Sequence, residues 1–253
     1  MQWMSEIIKT YSDSSFHKMI GELIKAHSQN AHDVRDVAKG LVDLSKVHTI
    51  LDLGCGYGWF EEALEGQFDL VLGIDCLKEN EGVFLGNAER IAKKAVFKRM
   101  TLPKPTDMEA ECFDLVVSTY SLYYFPEAIA EVKKILCKGG TFLVITHSES
   151  MFEEGEAYFD FSRLRKVIHR FSAENGEEIL KKDFADVAYV DYPNALLFTK
   201  DEGDHLAQYI DFKRGFISDR SGTEAVKQRL LEELRRKGTM TFNKNDRIFV
   251  AKK

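Results

Sequence analysis

The chain has 253 residues, enough for one large domain or for one domain carrying a sizeable insertion. Apolar residues make up 44 % and charged residues 30 %, a balance that excludes disorder as the main state. With 35 basic against 41 acidic side chains the net charge is −6, which argues against a broad nucleic-acid-wrapping surface but leaves room for a local basic groove.

No membrane span is expected, because the longest apolar runs are four residues, as in Phe142-Leu143-Val144-Ile145. Residues 1–10 lack a basic start, a continuous apolar stretch and a small-residue cleavage site, so no signal peptide is read and a cytoplasmic location is expected. Cys55, Cys76, Cys112 and Cys137 show no C-x-x-C spacing and read as reduced, buried thiols. His27 and His32 are too far apart to share a helix face, and no histidine has metal-ligand spacing, so no metal site is expected.

In chain order, residues 1–45 carry helical periodicity (Met19-Ile20, Leu23-Ile24, then Val34, Val37, Ala38, Leu41). From His48 the pattern alternates. A short β-rich run, 48–53, ends at a glycine cluster, and a helix is predicted over 57–64. A strand over 68–75 and a helix over about 78–94 follow, then a strand over 95–98. The run 113–118 is the next strand, a helix opens at Phe125-Pro126 and continues through Leu136, and Gly139-Gly140 launches a strand over 141–146. Nearly continuous apolar strands separated by helices predict an α/β fold with a parallel sheet covered on both faces. Residues 150–172 read as an aromatic-rich helical stretch, and Ser172 as the cap of a helix reaching about Lys182. Strands over 187–192 and 195–199, a helical return over 201–237 and a closing strand over 247–251 complete the chain. The added helices read as a cap on one domain.

The sharpest feature is Leu51-Asp52-Leu53-Gly54-Cys55-Gly56-Tyr57-Gly58, a glycine turn between a strand and a helix. A dinucleotide fingerprint would need its third glycine at position 59, which is Trp. Asp52 would be unwelcome beside a pyrophosphate, whereas an ammonium and a sulfonium would find it favourable. That sign points to S-adenosylmethionine rather than NAD.

Asp52-Leu53-Gly54-Cys55-Gly56-Tyr57-Gly58 resembles motif I of class I S-adenosylmethionine-dependent methyltransferases. Asp75, 21 residues after Gly54, stands where that family places an acidic residue on the ribose hydroxyls. Phe113–Ser118 is similar to its fourth-strand motif, and Leu136–Phe142 to its turn into strand five. The resemblance covers residues 47–147. It implies a Rossmann-like doubly wound sheet of seven strands with the last, near 247–251, antiparallel. It also implies S-adenosylmethionine as cofactor and S-adenosylhomocysteine as product. The resemblance carries cofactor contacts onto Asp52, Gly54, Cys55, Gly56 and Asp75, and onto Ser118 and Thr119 past strand four. The family's acidic residue after strand three is missing here, so apolar contact from Cys76, Leu77 or Met100 and backbone near Thr101 are expected to hold the adenine. Tyr11 is expected to close over the cofactor.

Methyl transfer from a sulfonium needs alignment above all, and a base only if the acceptor loses a proton. His147, just past strand five at the carboxyl edge, is the candidate base, with pocket lining as its alternative role. Ser118-Thr119-Tyr120-Ser121 replaces the N/D-P-P-Y/F motif of base amine methylation, there is no basic excess, and no appended RNA-binding domain is expected. A small-molecule acceptor is therefore expected, with nucleic acid and membrane not expected as partners. The alternatives are an RNA methyltransferase using Lys93-Lys94, Lys98-Arg99 and Arg163-Arg165-Lys166 as a phosphate track, and a non-catalytic S-adenosylmethionine-binding module. The expected organisation is an N-terminal helical lid over 1–45 and a methyltransferase domain over 46–253, with helical insertions at about 150–172 and 200–240. Residues 1–30 and 150–172 are expected to close over strands four and five, leaving His147, Tyr120 and Tyr123 facing the acceptor.

Overall fold

The apolar runs of the middle third pair into the parallel part of one sheet: β1 (Thr49–Leu53), β2 (Phe68–Asp75), β3 (Ala92–Arg99), β4 (Phe113–Thr119) and β5 (Leu136–His147). The computed structural model describes residues 2–104 and 108–253. β6 (Asp186–Tyr192) and the last strand, β9 (Asp246–Lys252), complete seven strands in the order β3-β2-β1-β4-β5-β9-β6. β9 is antiparallel to both neighbours. The expected Rossmann-like sheet with its antiparallel last strand is therefore observed. Strand order reverses between β1 and β4, which leaves a crevice at their carboxyl ends.

Alternate residues of each strand enter opposite cores. Ile50, Val71, Leu115 and Ile145 pack on α3 (Val34–Lys39), α4 (Trp59–Glu62) and α5 (Glu81–Glu89), whereas Leu51, Ile74, Val116 and Val144 belong to the other core. That second core includes α6 (Ile129–Ile135), α7 (Ser162–Ile168) and α8 (Gly176–Leu180). Two-sided burial is why the strands read as almost unbroken apolar runs.

Beyond the sheet, α1 (Gln2–Thr10) and α2 (Ser14–His27) join a separate hairpin, β7 (Ala195–Thr199) with β8 (Thr239–Asn243), and the helices α9 (Gly203–Lys213) and α10 (Thr223–Lys237). Leu196, Phe198 and Phe242 of the hairpin are fully buried with Leu206, Tyr209, Leu230 and Leu234 of these helices. Ser28 bridges to Leu196, and Gln29 N–H donates to the Ala195 carbonyl at 2.9 Å, which ties α2 to the hairpin.

Several boundaries differ from expectation, each for a local reason. The N-terminal helical stretch is cut by two aspartate caps, Asp13 accepting from Phe16 N–H and Asp33 from Arg35 N–H, both at 2.9 Å. The helix expected to reach Lys94 stops at Glu89, because Ala92 and Lys94 pair with Phe68 and Leu70 of β2. Between 150 and 172 only α7 and one 3-10 turn are helical, and Phe152, Phe161 and Phe171 are core. Ser172 accepts from Glu174 and Asn175 N–H, but the helix beyond it runs only over Gly176–Leu180.

Candidate active site

The turn after β1 is built for close backbone approach. Gly54, Gly56 and Gly58 all have positive φ, and the N–H groups of Gly54 and Cys55 both donate to the Ile74 carbonyl. A Cβ on Gly54 would stand 2.6 Å from Ser121 Cβ, so packing as well as dihedral excludes any other residue there. Ser118 and Ser121 lock that contact, since both hydroxyls lie within hydrogen-bond reach of the Leu53 carbonyl and 2.7 Å from each other. Gly56 differs: a Cβ there would meet nothing nearer than His17 Cε1 at 3.9 Å. Asp75, ending β2, accepts from Gly56 N–H at 3.0 Å, Leu77 N–H at 2.7 Å and Asn80 Nδ2 at 3.3 Å. Burial raises its pKa, and these donors oppose the rise.

A cavity of about 660 Å³ opens between this turn and the cap. Of the residues expected at the cofactor, Tyr11, Gly54, Cys55, Gly56, Asp75, Cys76, Leu77, Met100, Thr101 and Thr119 line it. Asp52 and Ser118 do not; both are fully buried behind the wall. The carboxyl of Asp52 faces that of Glu61, also fully buried, and among the described residues no other side chain donates to either of them. Burial and mutual repulsion push Asp52 well above the usual carboxylate range, and burial pushes Glu61 up to about 7. The pair therefore shares a proton, and the sign argument for Asp52 beside a cationic cofactor lacks the contact it needs.

His147 lies at the other end of the cavity, where β5 and β9 put it directly opposite Asp246. Its Nδ1 is 2.7 Å from Asp246 Oδ1, while Tyr120 Oη and Lys244 Nζ donate to Oδ2 at 2.7 and 2.6 Å. Lys244 is also 3.5 Å from His147 Nδ1, but the shorter carboxylate contact sets the tautomer: Nδ1 carries the proton and Nε2 is the free base. Burial, helped by Lys244 and opposed by Asp246, lowers the His147 pKa to about 4, so the ring is neutral near pH 7. The imidazole stacks on Tyr120 (4.5 Å, 22°) and on Tyr123 (5.9 Å, 22°). Tyr120 holds a left-handed φ of 53°, a strained backbone that turns its ring onto His147.

The cap supplies the facing wall. Tyr11, His17 and Phe212 form a ring cluster with centroids 4.9–5.8 Å apart, and Tyr124 Oη donates to Tyr11 Oη at 3.4 Å. Of residues 150–172 only Met151 reaches the cavity; Phe212 and Lys213 of α9 stand there as well. Sequence reasoning missed His17, Lys213, Lys244 and Asp246. A buried lysine at the end of an aromatic-rich helix, and the acidic first residue of the last strand, were the available signals.

Among the described residues, His27, Glu202 and His205 alone have metal-ligand proximity. Both nitrogens of His27 are already engaged, Nδ1 with the Leu197 carbonyl and Nε2 with His205 Nδ1, each at 2.9 Å. This chain of hydrogen bonds joins α2 to the start of α9.

S-adenosylmethionine fits the cavity on three counts: open space in front of Gly56, an anchored acidic side chain at Asp75 for ribose hydroxyls, and apolar walls at Leu77 and Met100.

Comparison with known proteins points the same way. Residues 17–185 match a family model described as a methyltransferase domain. None of the curated proteins matches the chain. Among solved structures, a methyltransferase assigned to an antibiotic-biosynthesis pathway of Anabaena variabilis superposes with a TM-score of 0.60 at 14 % identity, covering 86 % of this chain and 96 % of its own. A protein described as a methyltransferase from Bacillus halodurans gives 0.56 at 14 % identity, covering 86 % and 97 %. The YcgJ protein of Bacillus subtilis gives 0.53 at 19 % identity, covering 94 % and 98 %. Likeness at such identities establishes the fold. Among the described residues no helix is long and apolar enough to cross a membrane.

Proposed function

Since the chain belongs to the methyltransferase-domain family and is a class I S-adenosylmethionine-dependent methyltransferase, we propose that its acceptor is a small molecule that gives up a proton to His147. The observation that carries this reading is the walled cavity itself, in which the glycine turn and the His147–Asp246 pair line one space under an aromatic cap. Its volume of about 660 Å³ suits a cofactor with a small acceptor. A polymer would need an open track, and Arg163 and Arg165, candidates for such a track, are engaged with Glu6 and Glu156.

The cofactor, when bound, supplies a methyl group already activated on a sulfonium. Gly56 would offer it close backbone approach, Asp75 would accept from the ribose hydroxyls, and Cys76, Leu77, Met100 and Thr101 would hold the adenine. Asp52 acts indirectly, by holding the helix after the turn through Glu61. Residues 1–45, with α9, serve as the lid: Tyr11, His17 and Phe212 exclude water from the reacting centre. His147 Nε2 takes the acceptor proton. Asp246 keeps Nδ1–H in place and stabilises the imidazolium that forms, in the manner of an orienting carboxylate. Lys244 neutralises Asp246 when the imidazole is uncharged.

The test is to incubate the protein with methyl-labelled S-adenosylmethionine and separated small-molecule, RNA and protein fractions of a cell extract. Label is expected in the small-molecule fraction. Label in RNA or protein alone would refute the small-molecule reading while leaving the methyltransferase assignment intact.

A further inference from the structure

We infer that the acceptor carries a carboxylate and that Lys213, on the cap side of the cavity, receives it. The inference rests on the small-molecule reading above and names the chemistry of that molecule.

Lys213 closes α9 and is 5 % exposed, yet it lies on the cavity wall. Among the described residues its ammonium has no hydrogen-bond or ion-pair partner; its neighbours are the rings of Tyr209, Phe212 and Phe216 at 5.3–5.5 Å. Ring faces compensate a buried cation only in part, and less than the loss of hydration on burial costs it. A lysine so placed is under-compensated unless a ligand completes its shell. The other cation at this end, Lys244, already has its counter-ion in Asp246 at 2.6 Å. The local balance is thus one positive charge over, which suits a monoanion better than a phosphate dianion. Burial and Lys244 lower the Lys213 pKa to about 7, and an incoming anion would restore its charge.

The same chemistry could come from the methionine carboxylate of the cofactor, and the position of Lys213 favours the acceptor. Its electrostatic neighbours include Lys244, Asp246 and His147, the groups around the candidate base, with Arg165 and His17 besides. The near-parallel rings of Phe212 and His17 beside it, with Tyr11 edge-on to both, offer an acceptor an aromatic wall.

The experiment loads the full chain with S-adenosylhomocysteine and titrates matched pairs by calorimetry: benzoate against benzamide, 4-hydroxybenzoate against 4-hydroxybenzamide, and indole-3-acetate against indole-3-acetamide, with phenyl phosphate as a dianion. At least one acid is expected to bind tenfold or more tightly than its amide and than phenyl phosphate. Lys213→Met should remove that preference, Lys213→Arg should keep most of it, and both should bind S-adenosylhomocysteine as the wild type does. Loss of an ammonium that has no counter-ion on the cavity wall should also raise Tm in the Met variant, which guards against misfolding. A panel in which no acid outbinds its amide, or a Met variant that keeps the preference, overturns the proposal. Tenfold weaker S-adenosylhomocysteine binding in the Met variant overturns it too, by giving Lys213 to the cofactor. Failure of the wild type to bind S-adenosylhomocysteine would instead strike the reading beneath it.

Discussion

His147 and Asp246, 99 residues apart in the chain, face each other across the β5–β9 ladder with Nδ1 2.7 Å from Oδ1. Antiparallel register sets this pair, so the imidazole is oriented by two strands rather than by a loop. Such an orientation is what a general base needs before its pKa matters. His147→Ala is expected to lower kcat by roughly 10²–10⁴, with S-adenosylhomocysteine affinity unchanged by calorimetry. Asp246→Asn should give a loss of the same order, because the carboxylate that keeps the proton on Nδ1 is gone and the ring can take the other tautomer. With the His147 pKa near 4 in the folded protein, kcat should stay level from about pH 5 upward. A kcat that falls between pH 7 and 6 would mean another group takes the proton.

Asp75 is the next point of leverage. Gly56, Leu77 and Asn80 already donate to its oxygens, which fixes the carboxylate for the ribose. Asp75→Ala should weaken S-adenosylmethionine binding by about 1.5–3 kcal/mol, read by calorimetry. Gly54→Val should abolish binding for a different reason, the clash with Ser121 at positive φ, and should lower Tm as well. An Asp75 variant of wild-type affinity would move the ribose elsewhere.

The sheet was legible in the sequence because its inner strands are buried on both faces, and β1, β2, β4 and β5 announce themselves as apolar runs. β3 hid its first half, since Lys93 and Lys94 point to solvent at the sheet edge. The cap was legible as helix but not as architecture. Its hairpin joins 195–199 to 239–243 across two intervening helices, and no local signal encodes that pairing. The same distinction divides the site. Gly54, Gly56 and Asp75 belong to one contiguous strand-turn-helix-strand unit with its own spacing, so residue types alone point to them. His17 comes from α2, Lys213 from α9, and Lys244 with Asp246 from the turn into β9, and only packing assembles the three. Asp52 shows the converse: a residue in the right motif whose side chain faces the opposite core, beside Glu61.

That buried carboxyl pair should make stability depend on pH with a definite sign. Both folded pKa values lie above the unfolded ones, Glu61 at about 7 against 4.5. The stabilising proton is therefore fully present below about pH 4 and is lost as pH rises through 7. Glu61→Gln keeps a donor for Asp52 and removes this loss. Its Tm should exceed that of the wild type by several degrees at pH 8, taking roughly 2–4 °C per kcal/mol, and by much less at pH 5. A Tm difference that is equal at the two pH values would place the shared proton elsewhere.

The cap should be opened most easily at α1. Glu6 Oε2 holds both Arg163 Nη1 at 2.9 Å and Arg220 Nη2 at 3.1 Å, tying α1 to α7 and to the turn before α10. All three side chains are about a quarter to a third exposed, so the tether is weak, at about 0–1 kcal/mol per pair. Below it the fit is close: a Cβ on Gly215 would overlap Thr10 Oγ1, so α1 has one seat and either occupies it or leaves it. Ile8 and Tyr11 ride on this seat and line the cavity. Glu6→Ala should therefore speed limited proteolysis near Ser12–Asp13, and S-adenosylhomocysteine should slow it by filling the space beneath Tyr11. Wild type in 1 M salt, where the Debye length is about 3 Å, should behave like the variant. Cleavage indifferent to the variant, to salt and to the ligand would mean that α1 is a fixed wall of the cavity and that substrates enter by another route.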